Sequence, residues 1–79
     1  MYYLYILKCK DNSLYTGITN DLKKRMSSHK DGTGSKYVRS RLPFKLIYQE
    51  EFENRSEASS REAEIKGWRR EDKIRNLGL

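Results

Sequence analysis

The chain has 79 residues, with 17 Lys and Arg against 11 Asp and Glu, a formal charge of +6 at pH 7. This length suits one domain over residues 1–79 with a small core. A deep enclosed substrate cavity is not expected, and any chemistry belongs on an open face that suits a large or extended substrate.

The run Tyr2 to Leu7 is aromatic and branched and predicts a first strand. It falls far short of the roughly 20 apolar residues of a membrane span, and it lacks the basic start and small-residue cleavage site of a signal peptide. No membrane association is expected. Cys9 is the lone cysteine. A disulfide framework and a cysteine-built zinc site are therefore excluded, and a cytoplasmic protein is expected. Asp11-Asn12-Ser13 is a turn cluster, and Leu14 to Ile18 follows as a second strand, which makes an antiparallel hairpin. Thr19-Asn20-Asp21 offers helix caps for a helix over Leu22 to Lys30, with Leu22 and Met26 on one face. Gly32-Thr33-Gly34-Ser35 ends that helix and opens a loop. After Pro43, Phe44 to Tyr48 predicts a third strand. Asn54 and Glu57 have capping-box spacing ahead of a helix running to about Trp68, weakened at Gly67. Glu71 to Leu77 suits a last short helix. The order β-β-α-β-α, with that final α, predicts an α+β fold: a small three-stranded antiparallel sheet flanked by helices.

Charge is distributed unevenly along this order. Residues 1–49 hold ten basic and three acidic side chains, residues 50–64 hold two and six, and residues 65–79 hold five and two. From Gly32 to Gln49 there are four cations and no anion. Such asymmetry is the footprint of a protein that meets a polyanion, nucleic acid being the commonest.

Three sets of residues stand out within it. Glu62 lies four residues after Ala58 and three before Ile65, beside the apolar stripe of its helix. A carboxylate there must be paired or metal-bound. A partner Lys or Arg is the structural alternative to a metal. Arg25 and His29 are four apart and share a helix face. Arg25 has the fork that grips a phosphate, and His29, the only histidine, is suited to proton transfer or phosphate contact. On a solvent-facing helix they would be ordinary surface charge. Tyr5 and Tyr15 occupy the two strands of the hairpin, where tyrosine is also a common sheet residue.

Tyr3-Leu4-Tyr5 followed by Tyr15-Thr16-Gly17 resembles the paired tripeptides that name the GIY-YIG nuclease family. Arg25 with His29 resembles its helix arginine and frequent partner, and Glu62 resembles its metal-binding glutamate. Leu14 to Thr19, Gly34-Ser35-Lys36-Tyr37, Pro43 and Ile65-Lys66-Gly67-Trp68 are similar to the small stand-alone members. The likeness spans residues 2 to about 77. Tyr3 and Leu4 stand where the family name has Gly and Ile, and Thr16 replaces the second Ile. Ile18 takes the place of a Lys frequent in larger members, and Asn76 matches the family's late Asn only loosely.

The resemblance implies hydrolysis of DNA phosphodiesters with one divalent ion, Mg2+ or Mn2+, held by Glu62. Arg25 would stabilise charge at phosphorus, and Tyr5 and Tyr15, supported by His29, would position or deprotonate the attacking water. A free tyrosine has a pKa of about 10, so such a role needs help from neighbouring charge. Lys36, Arg39, Arg41, Arg69 and Arg70 are the candidates for backbone contacts, which position a strand without reading its sequence. The expected substrate is branched or damaged DNA in repair or recombination, with RNA left open and specificity supplied by a partner protein. The competing expectations are a nucleic-acid-binding module of the same fold that cuts little or nothing, and a protein-interaction domain using the Tyr and Trp surface.

Overall fold

Leu4, Tyr5, Ile6 and Leu7 follow one another on a single strand, and all four are fully buried in the computed structural model, which describes residues 1–79. Successive strand side chains point to opposite faces, so this strand must be covered on both. It is β1 (Tyr2–Cys9), the middle of an antiparallel sheet of order β2-β1-β3, with β2 (Leu14–Thr19) and β3 (Phe44–Phe52) at the edges.

Each face has its own small core. Tyr5 and Leu7 pack with Val38, Leu22 and Met26, supplied by α1 (Leu22–Asp31) and the one-turn α2 (Lys36–Arg39). Leu4 and Ile6 pack with Ile65 of α3 (Arg55–Lys66), with Trp68, and with Leu77 of α4 (Arg70–Leu77). The result is the expected α+β arrangement, with helices on both sides of a three-stranded antiparallel sheet. Ala58 and Ile65 are buried as their shared helix face requires.

Local chemistry accounts for the boundaries. Asp21 caps α1 by accepting from the Lys24 N–H at 3.0 Å, and the helix closes at Gly32. Asn54 caps α3 by accepting from the Glu57 N–H at 2.9 Å. Three differences from the sequence reading have physical causes. The loop after Gly34 contains α2, a single turn capped by Ser35, too short to show helical periodicity. β3 runs on to Phe52, because a sheet edge tolerates the polar stretch Gln49-Glu50-Glu51. α3 stops at Lys66, where the Gly67 N–H closes onto the Ala63 and Glu64 carbonyls. No helix is long and apolar enough to cross a membrane.

Candidate active site

The register of the hairpin places Tyr5 opposite Gly17 and Leu7 opposite Tyr15, so both tyrosines lie on the face that α1 covers. Their ring centroids are 6.4 Å apart. Gly17 is required by this packing. A Cβ there would lie 2.5 Å from the Tyr5 hydroxyl oxygen, a distance that atoms do not tolerate. The Tyr5 ring therefore crosses the neighbouring strand where only glycine leaves room.

Helix α1 brings His29 down onto the same point. His29 is fully buried, and its Nε2 shares a 2.9 Å hydrogen bond with the Tyr5 hydroxyl. Its ring meets Tyr5, Tyr15 and Phe44 edge-on at centroid distances of 5.7, 5.6 and 5.9 Å. Nδ1 is buried with no hydrogen-bond partner, and a Cβ at position 34 would stand 2.8 Å from it, so Gly34 closes against the imidazole. Burial, reinforced by the Arg25 charge, holds His29 below its ordinary pKa and keeps it neutral.

Arg25, one turn before His29, and Glu62, from the opposite side of the sheet, both act on Tyr5. Burial and the Tyr15 phenol push Tyr5 up to about 12; Arg25 opposes this and the Glu62 carboxylate adds to it. An isolated Tyr5 phenolate is therefore scarce at neutral pH. Glu62 is 21% exposed and its Oε2 lies 3.3 Å from the Lys66 ammonium. This carboxylate thus has the lysine partner of the structural alternative, while its charge still bears on Tyr5. No three His, Cys, Asp or Glu side chains cluster as a ready-made metal cage. The donor set is a single carboxylate, which suits Mg2+, an ion that keeps most of its waters.

Tyr5, Tyr15 and His29 are thus in contact, with Arg25 one turn back on the same helix and Glu62 on α3, although the sequence spreads the five over 58 positions. The five cations chosen for strand contact are not assembled with one another. Lys36 and Arg39 are exposed on α2, with the Arg39 stem against Gly32. Arg69 and Arg70 begin α4, which packs on the other face of the sheet, and Arg70 donates to the Asn12 carbonyl. Arg41 is engaged within the protein: its Nε donates to Asp11 at 3.0 Å and its Nη1 to the Tyr37 carbonyl at 3.1 Å. Tyr37, Phe44 and Asp11 were not singled out as site residues. Tyr37 stood in view within Gly34-Ser35-Lys36-Tyr37, but an aromatic in a presumed loop gives no hint of what it stacks on.

A three-stranded antiparallel sheet with helices on both faces and two hairpin tyrosines packed on a helix histidine leads to a family. The model of the GIY-YIG catalytic domain matches residues 1–76, and the chain belongs to the GIY-YIG nuclease family. It is 58% identical over 74 residues to a UPF0213 protein of Clostridium perfringens, covering 94% of this chain and 80% of that one. A UPF0213 protein of Staphylococcus saprophyticus is 50% identical over 74 residues, with 94% and 90% covered. Among solved structures, the solution NMR structure of a UPF0213 protein from Bacillus halodurans is similar, with a TM-score of 0.65, 42% identity, and coverage of 100% of this chain and 85% of that one. A solution NMR structure of an E. faecalis protein gives a TM-score of 0.69 at 40% identity, with 98% and 82% covered.

Proposed function

We propose that the protein is a metal-dependent endonuclease that hydrolyses phosphodiester bonds in DNA, on a structure-dependent or weakly sequence-specific substrate such as branched, flapped or nicked duplex. The observation that carries this reading is the contact of Tyr5, Tyr15 and His29 beneath α1, the helix that also carries Arg25. Family membership supplies the reaction class.

Phosphodiester hydrolysis needs an oriented water, charge neutralisation at phosphorus and a stabilised leaving oxygen. Arg25 supplies a fixed cation with two-point geometry for the phosphate. Tyr15 is only partly buried, so its hydroxyl is available to orient the water. Tyr5 is fully buried and shares a hydrogen bond with His29, so the pair would fix the surroundings of Tyr15 rather than meet the substrate. Glu62 would hold one Mg2+ or Mn2+ ion once the exposed Lys66 side chain swings away. Such an ion, when bound, supplies positive charge to the phosphate and lowers the pKa of its waters. Lys36, Arg39, Arg69 and Arg70 would grip the backbone. A role in DNA repair or recombination, beside a partner protein that supplies specificity, follows from this reading.

A panel of branched, flapped, nicked and linear DNA with Mg2+ or Mn2+ tests it, with RNA equivalents alongside. Cleavage abolished by Glu62→Ala and by chelation is the expected result. The second reading is a binding module that does not cut, and the Lys66–Glu62 ion pair favours it. Salt-sensitive binding with no Glu62-dependent cleavage would establish that module instead.

A further inference from the structure

Outside the tyrosine–histidine cluster, the most fully determined side-chain arrangement is a chain of contacts running from the hairpin turn to Tyr15. The Tyr15 ring stacks on Tyr37, with centroids 5.7 Å apart and planes at 27°. The Arg41 guanidinium lies 3.8 Å from the Tyr37 ring centroid. Arg41 is fixed from two directions. Its Nε donates to Asp11 at 3.0 Å, while Nη1 donates to the Tyr37 carbonyl at 3.1 Å and to the Ser40 hydroxyl at 3.0 Å. Its backbone joins the same elements, since the Lys10 N–H donates to the Arg41 carbonyl and the Arg41 N–H donates to the Val38 carbonyl. A guanidinium whose face and two nitrogens are engaged within the protein is poorly placed to neutralise a phosphate. It is well placed to hold an aromatic ring.

We propose that Tyr37 is a positioning residue that sets the ring of Tyr15, and that Arg41, anchored by Asp11, acts on the reaction through Tyr37 rather than on the DNA backbone. This rests on the nuclease reading only for its kinetic consequence. Reacting groups displaced by about 1 Å can lose on the order of 100-fold in rate. The Tyr15 ring also meets His29 and Tyr5, and Tyr37 is the neighbour that stacks on it.

The test uses the full chain with tyrosine ring-labelled protein, and follows the Tyr15 ring resonances of the DNA-free protein. Tyr37→Phe is expected to leave those shifts and the single-turnover cleavage rate near the parent's. Tyr37→Leu and Arg41→Gln are each expected to move the Tyr15 ring shifts. Both are also expected to lower the single-turnover rate at saturating DNA by roughly 10- to 100-fold. The salt slope of DNA binding should stay at the parent value in Arg41→Gln, whereas a true phosphate contact would take about 0.9 off it. Unmoved Tyr15 shifts in both Tyr37→Leu and Arg41→Gln, or a reduced salt slope in Arg41→Gln, would overturn the assignment. If Tyr37→Leu does not fold, Arg41→Gln and Asp11→Asn decide alone by the same spectra. Should the parent show no Glu62-dependent cleavage, the nuclease reading fails, and the Tyr15 spectra and the salt slope still decide the positioning role.

Discussion

Two buried groups set how the site responds to pH. Tyr5 is raised to about 12 from an ordinary 10.0, chiefly by burial, so the folded state keeps a proton that the unfolded chain gives up. Stability from this group is intact below pH 10 and falls as pH rises toward 12, by roughly 2–3 kcal/mol in all. His29 is held below its ordinary 6.5, chiefly by burial, so its contribution has the opposite sign. It is intact above pH 6.5 and is lost as acid protonates the unfolded chain first. Denaturant melts across pH should therefore show a plateau between these limits. Tyr5→Phe should reduce the alkaline limb, to which the raised Tyr48 and Cys9 also contribute, and absorbance titration should show Tyr5 and Tyr48 ionising late. Gly17→Ala forces Tyr5 aside, since a Cβ there would sit 2.5 Å from its hydroxyl. A cost of about 1–3 kcal/mol is expected, together with loss of cleavage, checked by melts and single-turnover assays. At this scale the hairpin tyrosines and the shared helix of Arg25 and His29 were legible, because the tripeptides and the Arg–His spacing are local. The sequence did not tell that Tyr5 would be fully buried on His29, because that depends on two elements meeting across 24 positions.

Among the elements, α3 is the one whose placement matters most, since it carries Glu62. One side chain does much of the fastening. Arg61 forks onto Glu50 of β3 through two 3.0 Å bonds, reaches Glu64 at 2.7 Å, and lies 5.4 Å from the Trp68 ring centroid. Burial pushes the Glu50 carboxyl up, but the Arg61 fork and the Tyr48 hydroxyl outweigh it and hold it below its ordinary value. This contribution is present above the ordinary carboxylate range and is lost as pH falls through the depressed value. Arg61→Lys keeps the charge and loses the fork. It should destabilise by about 1–2 kcal/mol in urea melts, and Arg61→Ala by more. Asn54→Ala, which removes the α3 cap, should cost about 1 kcal/mol. The cap was legible because capping is local, yet only half of the anticipated box formed: Asn54 accepts from Glu57, and the Glu57 side chain makes no return bond. The Arg61–Glu50 fork was not legible. It forms only because β3 extends past Tyr48 and brings Glu50 to α3.

On the scale of the whole molecule, the charge of +6 over 79 residues is carried by elements on both faces of the sheet. Lys36 and Arg39 stand on α2, on the side of the tyrosines, and Arg69 and Arg70 begin α4 on the other face of the sheet. Lys36→Gln and Arg69→Gln should each lower the salt slope of DNA binding by about 0.9 if both faces meet phosphates, as read from affinities between 50 and 200 mM salt. The architecture itself was legible from the alternating and continuous apolar runs. The separation of the cations was not, because linear charge counts carry no information on which face an element covers.

The central strand has one further consequence, for motion. β1 is hydrogen-bonded on both edges and packed on both faces, and it carries Tyr5 between Leu4 and Ile6, each with no solvent exposure. Local fraying releases helix ends and edge strands first, whereas a strand in this position opens only with the whole chain. Amide hydrogen exchange at Leu4, Tyr5 and Ile6 should therefore report the global unfolding free energy, while α2 and the last turn of α4 exchange through cheaper local openings. The tyrosine that anchors the site is thus among the last parts of the molecule to lose its order, and the residues around it can move while it stays fixed.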